Sequence, residues 1–232
     1  MTSPPLALTP EEQAAFLQSV DKVQQAVQHG LEAQPGGWAL VAFVRHLQRG
    51  VDNVVAAVRD QGVHLDCAAG CSHCCHARVE AMAPEIFQIA SALAARPPLE
   101  QAETLARLEA YLAVQTQDAS PQDAPWSRRS ACPFLVDQLC SIYAVRPAAC
   151  RKAHSRDVAA CASDAALIPQ SLELAMHAEA LQLGTAAAYR QRGLDAQPHE
   201  LVQAVVLALR DPSALGRWQA GELVFGAAPN AG

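Results

Sequence analysis

Four cysteines fall within nine positions of this sequence, and their spacing is its strongest chemical signal. They are Cys67, Cys71, Cys74 and Cys75. Thiolates this close together repel one another unless a cation or a cluster shares their charge, and short spacings let successive sulfurs converge on one ion. The pattern therefore predicts a metal site in which all four sulfurs are candidate ligands.

Four further cysteines follow downstream, and they extend the candidate ligand set to Cys132, Cys140, Cys150 and Cys161. Eight cysteines could instead form four disulfides in a small secreted protein. The N-terminus has neither a basic start nor an apolar run of the kind that directs export, so we expect a cytoplasmic protein with reduced thiols. Buried thiols that serve only as small hydrophobic side chains would be scattered, whereas these are clustered.

The neighbours Cys74 and Cys75 bear on the number of metal centres. Adjacent side chains in an extended or irregular segment point to opposite sides, so one mononuclear ion would not easily bind both. We expect that they serve two centres, or that one of them is not a ligand. Eight cysteines suffice for two four-thiolate sites, or for one cluster and one structural zinc. Three histidines are reserve ligands that we expect to be hydrogen-bonding neighbours instead: His73, His76 and His154.

The spacing leaves two cofactors open, zinc and an iron–sulfur cluster. Zinc sites commonly pair two Cys-x-x-Cys turns. The downstream cysteines are separated by seven, nine and ten residues, which is not that pattern. Iron–sulfur ligation accepts irregular runs more readily, so the sequence favours an iron–sulfur cluster over zinc.

The cysteine segments resemble the YkgJ-type cysteine-cluster family, whose members are described as zinc- or iron-chelating domains. The resemblance runs from about residue 67 to 161. It is carried by the first four cysteines, Cys132-Pro-Phe-Leu, Cys140-Ser-Ile-Tyr143, Arg146-Pro147, Cys150-Arg151 and Cys161. It implies a metal or iron–sulfur centre, possible roles in redox chemistry or metal handling, and no particular reaction.

Two alternatives remain open beside that function. The family includes proteins similar to a flagellin lysine N-methylase, so the resemblance also implies a methyltransferase-like enzyme. No glycine-rich turn after a strand, typical of a methyl-donor pocket, is visible in the sequence. The second alternative is a helical interaction module in which the metal only folds the irregular middle segment. Whether the protein is an enzyme stays open.

The charge and the hydropathy of the chain exclude two classes of binding partner. The net charge is −6 with a pI near 5.7, which argues against nucleic acid, and the longest apolar runs, of about nine residues, cannot span a bilayer. A protein or a small molecule is left as the partner.

Residues 126–156 carry a net charge of +5, from six basic residues and Asp137, in a chain that is acidic as a whole. That charge could offset an anionic metal centre, form an anion or phosphate subsite, or be a solvated surface.

Helical periodicity dominates the rest of the chain and predicts a mainly α fold, with helices that hold the irregular cysteine segments. A capping sequence at Thr9-Pro10-Glu11-Glu12 opens the first helix. A small hairpin is expected around Asp137-Gln138, and a single helical turn is expected after it, ending at Pro147. A loop is expected over Gln115–Ser130, and it contains Trp126. The predicted helices span about 10–29, 38–59, 84–95, 99–114, 169–192 and 199–210, followed by a shorter one after Asp211-Pro212-Ser213.

Three segments follow from this organisation and are expected to form one compact unit. They are an N-terminal helical hairpin (1–66), a cysteine-cluster metal-binding region (67–161) and C-terminal helices (162–232). The helices 84–95 and 99–114 meet at Pro97-Pro98 and should run antiparallel, which would return the chain to its starting point. We therefore expect the four downstream cysteines to fold back on residues 67–75 as one composite site region.

Overall fold

The computed structural model describes residues 8–117, 130–163, 165 and 167–226, and within them the protein is mainly helical, as predicted. The helices are α1 (Pro10–Glu32), α2 (Trp38–Ala42), α3 (Arg45–Asp60), α4 (Ala83–Ala94), α5 (Pro98–Gln117), α6 (Ala148–Lys152), α7 (Val158–Ala162), α8 (Leu172–Gln191), α9 (Leu201–Arg210) and α10 (Ala214–Gln219). Short 3₁₀ helices in the described residues span His73–His76 and Tyr143–Val145. Most of the predicted loop over Gln115–Ser130, with Trp126, lies outside the described residues.

The first helix begins with the capping box that the sequence predicts. The backbone N–H of Glu12 donates to Thr9 Oγ1 at 3.2 Å, and the backbone N–H of Thr9 donates to Glu12 Oε2 at 2.8 Å. Helix α1 packs along α8, and Gly184 allows the close approach. A Cβ atom at Gly184 would lie 2.6 Å from Val23 Cβ and 2.7 Å from the carbonyl oxygen of Val20.

The single helix predicted over residues 38–59 is wrong in one respect, because the structure divides it into α2 and α3. Between them the hydrogen bonds shorten to the i→i−3 pattern, from Val44 N to Val41 O and from His46 N to Phe43 O. This tighter turn lies in the core, where Val41 and Val44 are both fully buried. Burial in the core therefore overrides the continuous helical periodicity.

One hydrophobic core draws residues from all three parts of the chain. Most of α4 is buried in it, and it packs near the aromatic residues Tyr189, Trp218 and Phe225. The hydroxyl of Tyr189 donates to the carbonyl oxygen of Leu40 at 2.7 Å, which ties α8 to α2. The division into residues 1–66, 67–161 and 162–232 stays a prediction.

The described part of the chain contains four two-residue strands, which form two antiparallel pairs. The first pair joins β1 (Glu80–Ala81) to β4 (His199–Glu200), a long-range contact that the sequence did not predict. The second pair, β2 (Leu135–Val136) and β3 (Leu139–Cys140), is the predicted hairpin. Its turn residues Asp137 and Gln138 both have positive φ, as the favoured two-residue hairpin turn requires.

No helix in the described part of the chain is long and apolar enough to cross a membrane.

Candidate metal centre

The two cysteine segments meet first at Cys75 and Cys132. The backbone N–H of Cys132 donates to the carbonyl oxygen of Cys75 at 2.7 Å. Close by, the hydroxyl of Ser72 donates to Gln138 Oε1 at 2.7 Å, so the tip of the β2–β3 hairpin also contacts the first segment. These bonds hold the segment with Cys132 and Cys140 against the 3₁₀ helix that carries Cys75.

A second set of contacts joins the other end of the first segment to α7. The backbone N–H of Asp66 donates to the carbonyl oxygen of Ser155 at 3.0 Å, and the backbone N–H of Ser155 donates to Cys67 Sγ at 3.3 Å. The Asp66 carboxylate accepts from the backbone N–H of Val158, the first residue of α7, at 2.9 Å. Helix α7 carries Cys161, so the structure confirms that the downstream cysteine segment folds back on residues 67–75.

The predicted divergence of Cys74 and Cys75 is wrong. These residues lie in the 3₁₀ helix His73–His76, where successive side chains are about 120° apart rather than opposite. Their thiols are hydrogen-bonded to each other, and this bond raises the pKa of Cys74 and lowers the pKa of Cys75. The two sulfurs are therefore neighbours at the junction of the two cysteine segments.

The eight cysteines are free thiols, and they fall into two groups according to which thiols raise one another's pKa. We call each group a neighbourhood. Burial raises the pKa of Cys67, and the neighbouring thiols Cys71, Cys74 and Cys161 raise it further. Burial also raises the pKa of Cys150, where the neighbours that add to the effect belong to a different group, Cys132, Cys74 and Cys140. Cys74 contributes to both neighbourhoods, which fits its place beside Cys75.

Backbone N–H groups point at several of these sulfurs. Burial raises the pKa of Cys132 to about 11, and it also raises that of Cys140; in both cases a backbone N–H hydrogen bond opposes the rise. The three donors are Ser155 to Cys67, Phe134 to Cys132 and Ile142 to Cys140. Such hydrogen bonds favour the thiolate, which is the form that binds a metal.

The positive charge of Arg146 acts on three of these thiols. Its guanidinium lies 4.2 Å from the ring centroid of Tyr143, and its charge lowers the pKa of Cys74, Cys140 and Cys150 against the larger effects that raise them. This agrees with one of the three roles left open for the basic stretch, that of offsetting an anionic centre. Arg128 and Arg129 of that stretch lie outside the described residues.

Sequence reasoning missed the buried carboxylate of Glu85, which positions helix α6 and hence Cys150. Glu85 is 1% exposed. Its Oε1 accepts from the backbone N–H of Ala148, the first residue of α6, at 2.7 Å, and its Oε2 accepts from the backbone N–H of Met82 at 3.2 Å. A glutamate directly after Pro84 at a helix start was the visible signal, but nothing in the sequence indicated the contact with α6.

His154 is a hydrogen-bonding neighbour of the site, as expected. The backbone N–H of Ser171 donates to its Nε2 at 2.8 Å, so Nδ1 carries the proton and donates to the carbonyl oxygen of Lys152 at 2.7 Å. Both ring nitrogens are engaged, which leaves neither for a metal. His73 and His76 lie in the same 3₁₀ helix as Cys74 and Cys75.

The donor chemistry fits zinc and iron, because cysteine thiolates are the ligands of structural zinc sites and of iron–sulfur clusters. The side chains would have to move to close around an ion, since no group of three or more His, Cys, Asp or Glu residues in the described part of the chain could hold one as it stands. The assignment of the eight cysteines as ligands stays a prediction.

Comparison with known proteins supports the same chemistry. Residues 66–169 match the model of the CxxCxxCC family, described as a putative zinc- or iron-chelating domain. The match confirms the resemblance found in the sequence and agrees with zinc or iron as the cofactor metal. A search of curated proteins and a search of solved structures found no match.

Proposed function

We propose that the cysteine-cluster domain of residues 66–169 binds its metal in two adjoining four-cysteine sites. The first, which we name the α7 site, consists of Cys67, Cys71, Cys74 and Cys161. The second, the hairpin site, consists of Cys75, Cys132, Cys140 and Cys150. The observation that carries this division is the pair of backbone contacts that tie Cys75 to Cys132 and Cys67 to Ser155.

The α7 site is supported by the contacts around Cys67. Asp66 and Cys67 bond to Ser155 and Val158, and the side chain of Asp157 accepts from the backbone N–H groups of Ala159 and Ala160 at the start of α7. This short helix is thereby held against the first cysteine segment. Its Cys161 lies in the electrostatic neighbourhood of Cys67.

The hairpin site is supported by three separate elements that converge on Cys75. The hydrogen bond from Cys132 fixes one end of the second segment, the β2–β3 pairing places Cys140, and Glu85 holds the helix with Cys150. Cys74 acts on Cys67 and also on Cys132, Cys140 and Cys150, and we assign it to the α7 site because this gives each site four thiols. One peptide bond then links the two centres, from Cys74 to Cys75.

The favoured content is iron in iron–sulfur clusters, since the downstream cysteines lack the paired turns of common zinc sites. Bound clusters would supply one-electron redox chemistry. The chain contributes the thiolates, the N–H groups directed at Cys67, Cys132 and Cys140, and the positive charge of Arg146, all of which tune such a centre. We therefore propose an electron-transfer role; methyl transfer and a purely structural metal stay predictions from the sequence.

Metal content in serine variants tests the division. Cys71→Ser and Cys161→Ser should each lose the metal of the α7 site, and the double variant should lose no more than either alone. Cys132→Ser should lose the other centre, and combining it with Cys71→Ser should remove both. The measurement is metal per chain after anaerobic purification, with circular dichroism to verify folding.

Ser72→Ala is the matched control, because it removes the hydrogen bond to Gln138 between the segments without removing a thiol. It should retain both centres. If the variants of Cys71 and Cys132 each lose all the metal, the eight cysteines form one site and the division is wrong. If no variant changes the metal content, the cysteines are not the ligands.

A further inference from the structure

A cavity of about 730 Å³ lies on the side of α3, and none of the eight cysteines is among the described residues that line it. Its walls come from α2 and α3, from Gln88 on α4, from the 3₁₀ helix Tyr143–Val145, and from Arg151 on α6. This volume is within the range of sites for small molecules. Phe43, Ala144 and Val145 give it apolar surface.

The rim of the cavity carries two arginines that have no acidic partner among the described residues. Arg45 and Arg49 are exposed and one helical turn apart on α3; Arg45 donates to the carbonyl oxygen of Ala42, and Arg49 donates to His46 Nδ1. Like charges at this spacing are mutually unfavourable. An anion shared between the two guanidinium groups would offset that repulsion.

The acidic charge beside them is already engaged. Asp52 is the only acidic residue among the described residues that line the cavity, and its Oδ2 lies 2.5 Å from Arg151 Nη1. Arg151 also donates to the carbonyl oxygens of Ala144 and Arg146. The charges of Arg45 and Arg49 therefore remain available to a ligand.

Two buried amides lie at the inner wall of the cavity. Gln48 is 3% exposed and Gln88 is 9% exposed, and Gln48 Nε2 donates to Gln88 Oε1 at 2.7 Å. Within the described part of the chain, neither Gln48 Oε1 nor Gln88 Nε2 forms another hydrogen bond. A polar group of a ligand or a water molecule therefore suits this position, since one atom is an acceptor and the other a donor.

We propose that this cavity binds a small organic anion. A phosphate or carboxylate group would pair with Arg45 and Arg49, an apolar body would lie against Phe43, and a neutral polar group would reach Gln48 and Gln88. Arg151 is the residue after Cys150, so the same short segment forms one wall of the cavity and carries a candidate metal ligand. This places a substrate or effector beside the hairpin site.

Calorimetric titration of the metal-loaded protein with three probes tests the proposal. Phenyl phosphate and benzoate carry the two candidate oxyanions on an apolar ring, and benzyl alcohol is the neutral analogue. At least one anion should bind, and the neutral alcohol should not. The anion that binds more tightly identifies the oxyanion class.

Variants make the test specific. The double variant R45A/R49A should weaken anion binding about tenfold or more, because charged hydrogen bonds are lost. The control R190A/R210A also removes two positive charges, but from exposed positions outside the cavity, and it should bind the anion as the wild type does. Ala42→Phe should block the cavity and abolish binding. Absence of anion binding, equal weakening in both double variants, or equally tight binding of benzyl alcohol would overturn the proposal.

Discussion

Replacing Glu85 with alanine should destabilise the protein through one helix, α6. The substitution removes the acceptor of two backbone N–H groups, those of Ala148 and Met82, at a position that is 1% exposed. A buried donor left without a partner costs about 1–3 kcal/mol. The two donors together cost about 2–6 kcal/mol, and removing a buried carboxylate gives back part of its desolvation cost, so we expect a net loss of about 1–4 kcal/mol in the free energy of unfolding.

Urea denaturation of the metal-loaded protein at neutral pH measures this loss, and amide hydrogen exchange locates it. Glu85→Ala should speed exchange at the amide of Ala148 more than at amides of α8. Glu100→Ala is the matched control, because Glu100 is also an acid in the first turn of a helix but is exposed. If the two variants unfold within about 0.5 kcal/mol of each other, the buried carboxylate does not hold α6 in place.

Three further predictions concern stability. Burial raises the pKa of Glu85 above 4.5, so the native state binds the carboxyl proton more tightly than the unfolded state does. The free energy of unfolding should therefore fall as the pH rises from about 4.5 through the raised pKa. Urea denaturation should show this fall in the wild type and not in Glu85→Gln. Gly184→Ala should cost about 1–3 kcal/mol by pushing α1 from α8, whereas Gly216→Ala, with open space around it, should not lower the melting temperature. Tyr189→Phe should cost about 1 kcal/mol in urea, unlike Tyr143→Phe at an exposed position.

The helical scaffold could be predicted because its signals are local. Thr9 and Glu12 cap α1 through contacts three residues apart, and Asp137 and Gln138 form a turn whose geometry depends on those residues themselves. The division of residues 38–59 into two helices was not visible, because it depends on where Val41 and Val44 meet the core. That core includes residues of α4 and α8, which lie far away in the sequence.

The candidate site shows the same limit. The folding back of the second cysteine segment was predicted from the Pro97-Pro98 turn, whereas the assignment of all eight thiols as ligands stays a prediction. The direction of the Cys74 and Cys75 side chains depended on the local backbone, which is a 3₁₀ helix rather than an extended segment. The roles of Glu85 and Arg151 arise from contacts across 63 and 99 residues, which no local pattern encodes.

Metal content and the visible spectrum of protein purified without oxygen test the central claim most directly. We predict that the wild-type protein retains iron and acid-labile sulfide and has a visible absorption that a reductant bleaches and oxidation restores. Zinc without iron would contradict the electron-transfer proposal while leaving the cysteine sites in place. Protein that folds and retains neither zinc nor iron would contradict the account as a whole.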